Sequence, residues 1–214
     1  MNPLRELPAV VILAGGRGQR LGGVLKAGLE YQGRPLLAFL LSAVWAELAT
    51  AEGDGPETVV VGDRAVLEPL LSGVAQAASL TWAREEPAFS GPVAGLAAAV
   101  VGLTNEWTLV LACDIPGVRS GLQALAKAQF GADGAVLVDA EGFAQPLLAC
   151  YRTAALREAV TAVATQSSSS GKGASLRKVI ARLNLAEVLA PASAVADIDE
   201  WADAQAWGVT KGSA

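Results

Sequence analysis

A short apolar run, Ala9-Val10-Val11-Ile12-Leu13, passes without a break into a glycine-dense loop, Ala14-Gly15-Gly16-Arg17-Gly18-Gln19-Arg20-Leu21-Gly22-Gly23, that reaches Lys26. A β-rich stretch that stops in such a loop constrains the chain more than any bulk property. With few side chains in the way, the backbone N–H groups of the loop can close around an anion. Arg17, Arg20 and Lys26 add positive charge there, in a chain whose formal net charge is −5. A polyphosphate ligand would account for both the glycines and the cations. Gly15, Gly16 and Gly18 would let the backbone approach the phosphates, while Arg20 and Lys26 would neutralise charge building up on a leaving pyrophosphate. A dinucleotide turn is excluded, because its third glycine would fall at Leu21. A P-loop is excluded because no Gly-Lys-Ser/Thr triplet follows at the required spacing. The remaining plain reading is an ordinary tight turn between strand and helix with surface cations.

The rest of the chain alternates short apolar runs with amphipathic, alanine-rich segments, the pattern of an α/β fold with a largely parallel sheet. Strands are expected at Ala9–Leu13, Thr58–Val61, Leu80–Ala83, Trp107–Ala112, Ala135–Val138 and Pro146–Tyr151. Helices are expected from Pro35 onward, through Ala65–Leu71, from Pro92, over Ala154–Ala164 and Ser175–Leu183, and after Asp199. The low-complexity stretch Gln166–Gly173 reads as a mobile loop. With 214 residues, 52% hydrophobic and 17% charged, the chain can bury a core as one domain without staples.

Composition narrows the function. The acidic balance argues against nucleic-acid binding, which wants a basic face. Mean hydropathy is high at +0.41, yet the apolar runs Leu36–Ala46 and Pro92–Leu103 fall short of the ~20 residues that span a bilayer. The N-terminal stretch has no secretory signal pattern. A soluble cytoplasmic protein that binds neither membrane nor nucleic acid is expected. Cys113 and Cys150 could pair, but two buried free thiols are the expectation in that compartment. There is no histidine, which removes His-based triads, histidine zinc sites and the commonest general base. Chemistry must run on carboxylates, Lys, Arg, backbone amides and a bound cation.

Two further constellations qualify. Asp114 follows the strand Trp107–Ala112 and precedes Ile115-Pro116-Gly117. A carboxylate at the C-terminal end of a central strand lies where open α/β sheets bind ligands. With substrate phosphates it could hold Mg²⁺, or it could only cap the next helix. Asp197 and Asp199, spaced by two, would point the same way if extended, and either could complete the cation site. Alternatively, Asp199 is the N-cap of the last helix. More weakly, Ser90-Gly91-Pro92 pairs a turn with a helix start where a base or sugar could lie, and Glu85 or Glu86 could accept from a sugar hydroxyl or a base amine. Lys172, Arg177 and Lys178 could meet a second anionic substrate, and the five tryptophans read as core or rim.

Taken together, LAGGRGQRLGG with Lys26, then SGPVAGL, CDIP, QPL, SLRK and DID resemble the molybdenum cofactor guanylyltransferases, nucleotidyltransferases with a glycosyltransferase-A-like fold. The motifs come in family order over nearly the whole chain. The resemblance implies a single-domain three-layer αβα sandwich with a mostly parallel, Rossmann-like sheet of the nucleotide-diphospho-sugar transferase type. A nucleotide-binding half would span about 8–115 and an acceptor-binding half about 116–214. It implies that Leu13, Ala14, Gly15, Gly16 and Arg20 bind the nucleoside triphosphate and that Lys26 contacts it. Asp114 would bind Mg²⁺, and Glu85 or Glu86 would contact the nucleotide; from the residues themselves, Asp199 is expected as the second metal ligand and Gly91 as a further nucleotide contact. Two positions depart from the family pattern: Leu25 replaces a frequent Asp, and Gly62 a frequent nucleotide-contacting Asn, for which Asp63 or Arg64 could substitute.

The activity so implied is transfer of GMP from GTP to the terminal phosphate of molybdopterin or molybdenum cofactor, with release of pyrophosphate and transient protein partners in cofactor biosynthesis. A phosphate nucleophile needs no general base, in keeping with the lack of histidine. The LAGG sequence, where cytidylyltransferases acting on the same pterin usually carry LAAG, favours GTP. Other readings are such a cytidylyltransferase, a guanylyltransferase for a cobalamin precursor, or a non-catalytic nucleotide-binding module on the same scaffold.

Overall fold

The computed structural model describes residues 2–15, 19–50, 53–86, 90–170 and 174–212. Gly16, Arg17, Gly18 and Lys172, singled out above, lie outside the described residues. In chain order the elements are β1 (Ala9–Leu13), the two-residue strands β2 (Glu30–Tyr31) and β3 (Arg34–Pro35), α1 (Leu36–Leu48), β4 (Thr58–Val61), α2 (Arg64–Leu67), β5 (Thr81–Ala83), α3 (Pro92–Val100) and β6 (Trp107–Ala112). Then follow α4 (Val118–Lys127), β7 (Gly134–Val138), β8 (Ala144–Arg152), α5 (Thr153–Ser170), α6 (Leu176–Ile180), β9 (Leu185–Leu189) and α7 (Trp201–Trp207).

Seven strands form one sheet in the order β5-β4-β1-β6-β8-β7-β9, and β2 and β3 pair separately. All neighbours in the large sheet are parallel except β8, which runs antiparallel to β6 and β7. The expectation of a mostly parallel α/β sheet therefore holds. The two-residue period of a strand sorts the core. Val10 and Ile12 of β1, Val60 of β4, and Leu109 and Leu111 of β6 join residues of α1 and α4 in one cluster. Ala9, Val11 and Leu13, Val59 and Val61, and Val110 join α3 and α5 in another. Helices thus cover both faces, which is why β1 is apolar at every position and buried throughout. Among the described residues no helix is long and apolar enough to cross a membrane.

Several local expectations change. Pro35 ends β3 and caps α1 rather than opening it. Gln166–Ser170, expected as a mobile loop, continues α5. Serine costs a helix only a few tenths of a kcal/mol, and Leu156, Ala159, Val160 and Val163 anchor the preceding turns in the core, so propagation carries on past the last apolar residue. The helix after Ala65 tightens to a 3₁₀ turn at Glu68–Leu71, where Pro69 removes a backbone donor. Both cysteines are buried free thiols, pushed up in pKa by burial.

A third, smaller cluster lies off the sheet. Leu21 and Leu29 from the segment after β1 and Leu36 of α1 pack with Ile198, Ala204 and Val209 from the C-terminal segment. Reciprocal backbone bonds of 2.9 Å between Glu30 and Thr210 tie the two segments together.

Candidate active site

β4 and β5 lie on one side of β1 and β6 on the other, so the strand order reverses between β1 and β6. In open α/β sheets the crevice outside the carboxyl ends at such a point is the ligand site. The chain is laced there one step beyond the strands. Cys113 N–H donates to Leu13 O at 3.1 Å, Ala14 N–H to Val61 O at 3.0 Å and Gly62 N–H to Ala83 O at 2.9 Å. Leu13 and Ala14 are buried, whereas Gly15 emerges into solvent. This edge brings together Leu13, Ala14 and Gly15 with Asp114.

Asp114 caps nothing, since the residue before α4 is Gly117. Its Oδ2 accepts from Lys26 Nζ at 2.8 Å, and its backbone carbonyl accepts from Ile198 N–H at 3.2 Å. Lys26 opens a 3₁₀ turn whose next residue, Ala27, is buried, and Leu29 beyond it is fully buried. The Lys26 ammonium also donates to Asp199 Oδ1 at 2.5 Å, and Arg20 Nη1 donates to Asp199 Oδ2 at 3.0 Å. Residues far apart in sequence therefore form one chain of charges, Asp114–Lys26–Asp199–Arg20.

Its two ends differ. Lys26 and Asp114 side chains are 20% and 14% exposed, against 70% for Arg20, so the inner pair is shielded from solvent and the outer one is screened. Burial alone would lower the Lys26 pKa, but the charge and hydrogen bond of Asp114, then those of Asp199, outweigh it and hold the ammonium above its ordinary value. The Lys26 hydrogen bond, reinforced by the charges of Lys26 and Arg20, holds the Asp199 carboxyl below the usual range despite some burial. Asp197 reaches solvent, yet the protein crowding its other side, and then the charges of Asp199 and Asp114, push its carboxyl up. Among the described residues Asp197 makes no ion pair, so Asp199 rather than Asp197 joins the cluster.

Asp199 is not a helix cap. Glu200 caps α7 in a capping box with Asp203, and Asp203 Oδ2 accepts from the N–H groups of Asp199 at 3.1 Å and Glu200 at 2.7 Å. The box is written in acidic residues, Glu200 and Asp203, instead of the usual Ser/Thr with Glu, which hid it in the sequence. It fixes the backbone that carries Asp199.

On the other flank Gly91 caps α3 with φ 95°, a conformation suited to glycine. Glu85 is half-buried with its carboxylate against Gly95 of α3, while Glu86 is exposed. Of the two, Glu85 faces the helix start. Both departures from the family pattern have local causes. Leu25 packs on the large core cluster. A Cβ at Gly62 would lie 2.5 Å from Leu67 Cδ1, so an asparagine there has no room unless Leu67 moves. Asp63 caps α2 and pairs with Arg84 at 2.9 Å, and Arg64 pairs with Glu68 at 2.8 Å, so both of the suggested substitutes are already engaged.

Asp114 and Asp199 offer hard oxygen donors to one cation, with the Lys26 ammonium standing between them. That donor set fits Mg²⁺, which commonly takes one or two carboxylates and completes its shell with water and substrate phosphate. Among the described residues no group of three or more His, Cys, Asp or Glu could hold a metal.

A strand reversal bordered by Leu13–Gly15, the cations Lys26 and Arg20 and the carboxylates of Asp114 and Asp199 is the arrangement of a nucleotidyltransferase. The chain belongs to the MobA-like NTP transferase family, whose domain matches residues 10–188. A molybdenum cofactor guanylyltransferase from Pseudomonas putida strain KT2440 is 32% identical over 180 residues, covering 81% of this chain and 82% of that protein. Another, from P. putida strain F1, is 30% identical over 188 residues, covering 87% and 92%. The fold is shared with the molybdopterin-guanine dinucleotide biosynthesis protein A of Archaeoglobus fulgidus, with a TM-score of 0.61 and 22% identity over 93% of this chain and 96% of that one. It is shared too with a nucleotidyl transferase from Methanothermobacter, with a TM-score of 0.70 and 21% identity over 94% and 95%.

Proposed function

We propose that the chain transfers GMP from GTP to the terminal phosphate of molybdopterin or molybdenum cofactor, releasing pyrophosphate in a Mg²⁺-dependent reaction. The observation that carries this reading is the Asp114–Lys26–Asp199–Arg20 network, set at the strand reversal beside the Leu13–Gly15 loop. The curated guanylyltransferases to which the chain is similar supply the substrates of the reading.

In this reading the backbone of Leu13, Ala14 and Gly15, with Gly16 and Gly18, cradles the triphosphate, and Gly91 and Glu85 border the nucleoside. Lys26 and Arg20 turn from carboxylates to phosphate oxygens when the nucleotide enters. A phosphate oxygen of the acceptor attacks the α-phosphorus, and the bond to pyrophosphate breaks as the new bond forms. The leaving group departs with the bonding pair. The nucleophile is already anionic near neutrality, so the chain's task is to position two anions and offset their repulsion. Mg²⁺ held by Asp114 and Asp199 would supply further charge neutralisation on the phosphates. The nucleotide lies on the half over about 8–115 and the acceptor on the half over about 116–214.

Pyrophosphate release measured with GTP, CTP and ATP, each with and without molybdopterin, tests the reading. Release with GTP only when molybdopterin is present is expected. Release with CTP alone would make the chain a cytidylyltransferase on this pterin and overturn the base assignment.

A further inference from the structure

On the acceptor half of the same sheet edge, the turn between β7 and β8 carries an aromatic ring that the core does not use. Phe143 is 57% exposed, and the turn holds it in place. Asp139 Oδ1 accepts from the N–H groups of Glu141 at 3.1 Å and Phe143 at 2.8 Å, and Asp139 N–H donates to Phe143 O at 3.0 Å. Gln145 donates from Nε2 to Asp139 Oδ2 at 3.2 Å. That bond orients its amide, and among the described residues nothing donates to its Oε1. Arg177 of α6 sets its guanidinium 5.9 Å from the Phe143 ring centroid. Among the described residues it pairs with no carboxylate. At that distance the contact is at the outer limit of a cation–π interaction, so the ring is not sealed by it.

The sheet order locates this turn. β6 and β7 both run antiparallel to β8 and so point the same way, which sets the turn leaving β7 at the sheet edge that carries Asp114. β8 bulges between Ala149 and Gln145, which pair with the adjacent residues Val136 and Leu137. β8 also lies on the side of β6 away from β1. The group therefore stands at the same sheet edge as Asp114, on the side opposite β1, where the reaction needs its acceptor. Ring, amide oxygen and guanidinium together are complementary to a flat heterocycle that donates N–H groups and carries an anionic substituent.

We propose that Phe143, Gln145 and Arg177 form the subsite for the acceptor's ring system. A pterin-type bicycle stacks on Phe143, a ring N–H or amine donates to Gln145 Oε1, and Arg177 draws the anionic side chain toward the edge. The proposal rests on the acceptor reading given under Proposed function. Aromatic stacking of a heterocyclic base is worth roughly tenfold or more in affinity.

Fluorescence titration with hydroxymethylpterin phosphate and with unphosphorylated hydroxymethylpterin, run beside GTP titrations, tests it. Phe143→Ala should weaken both pterins roughly tenfold, and Phe143→Trp should restore them. Arg177→Ala should weaken the phosphorylated probe and leave the unphosphorylated one nearly unchanged. GTP affinity of all three variants should stay within about twofold of the parent, a check on folding. Unchanged pterin binding by Phe143→Ala would overturn this subsite alone, as would a parallel fall in GTP affinity. A parent protein that binds neither pterin would overturn the acceptor reading and the subsite with it.

Discussion

Asp114 follows a strand that is hydrogen-bonded on both sides and buried at nearly every position. Asp199, its counterpart across Lys26, stands on an irregular segment fastened by Ile198, the Asp203 carboxylate and a small cluster off the sheet. One wall of the site inherits its geometry from the core. The other is assembled from two segments far apart in sequence that pack together off the sheet. Substitutions on the strand wall should therefore change rate while the fold persists. Those in the small cluster should change local stability and nucleotide affinity together.

The strand wall carries the largest expected effect. Asp114→Ala should abolish transfer, a fall of about 10³-fold or more, with the melting transition retained. Near-normal turnover would remove Asp114 from the chemistry. Lys26→Met should cost roughly 10²–10³-fold in kcat/KM, the usual loss for one preorganised charge contact. Ile198→Ala tests the other wall. It empties a fully buried position and should weaken docking of the C-terminal segment by about 2–4 kcal/mol. Hydrogen exchange should rise across 195–210 and GTP affinity should fall, while exchange in β1 and β6 stays slow. Uniform loss of protection would mean that the two walls form one cooperative unit. Arg20→Ala removes an exposed pair and should shift stability by less than ~1 kcal/mol and GTP affinity by a few-fold.

The smallest effect is on pH dependence. Lys26 is held above its ordinary 10.5, so its ion pairs are fully present below that value and are lost only as pH rises through the raised one. Asp199 is held below 3.8, so its contribution is present above that value and is lost as pH falls through the lowered one. Across roughly pH 5–9 the Lys26–Asp199 pair keeps its charges. With the second phosphate ionisation near ~6, kcat/KM should climb through that pH and then stay level to about pH 9. A descending limb between 7 and 8 would reveal a proton-transferring group outside this scheme.

The strand wall was legible in the sequence and the other was legible only in part. The runs Ala9–Leu13, Thr58–Val61 and Trp107–Ala112 match β1, β4 and β6 residue for residue, because strands buried on both faces read as unbroken apolar runs. Asp114 could be placed at a ligand edge for the same reason. Lys26 and Asp199 were visible as charges near turns, but their meeting depends on contacts between Leu21 or Leu29 and Ile198, which no local pattern announces. Helix α4 goes beyond the sequence reading although Val118, Leu122 and Leu125 stand at helical spacing, because Gly121 on the same face is a poor helix former. That glycine serves packing, as a Cβ there would lie 2.9 Å from Leu148 Cδ2. β9 is a half-exposed edge strand of five residues, too short and mixed in polarity to stand out. The block at Gly62 by Leu67 belongs to side-chain packing and has no sequence signature.

Following label from GTP into the acceptor tests the central claim most directly. With molybdopterin and Mg²⁺, label at the α-phosphate should appear in a pterin dinucleotide, and label at the γ-phosphate should appear only in pyrophosphate. The α-label remaining in GTP or free GMP, with no dinucleotide formed, would contradict nucleotidyl transfer at this site.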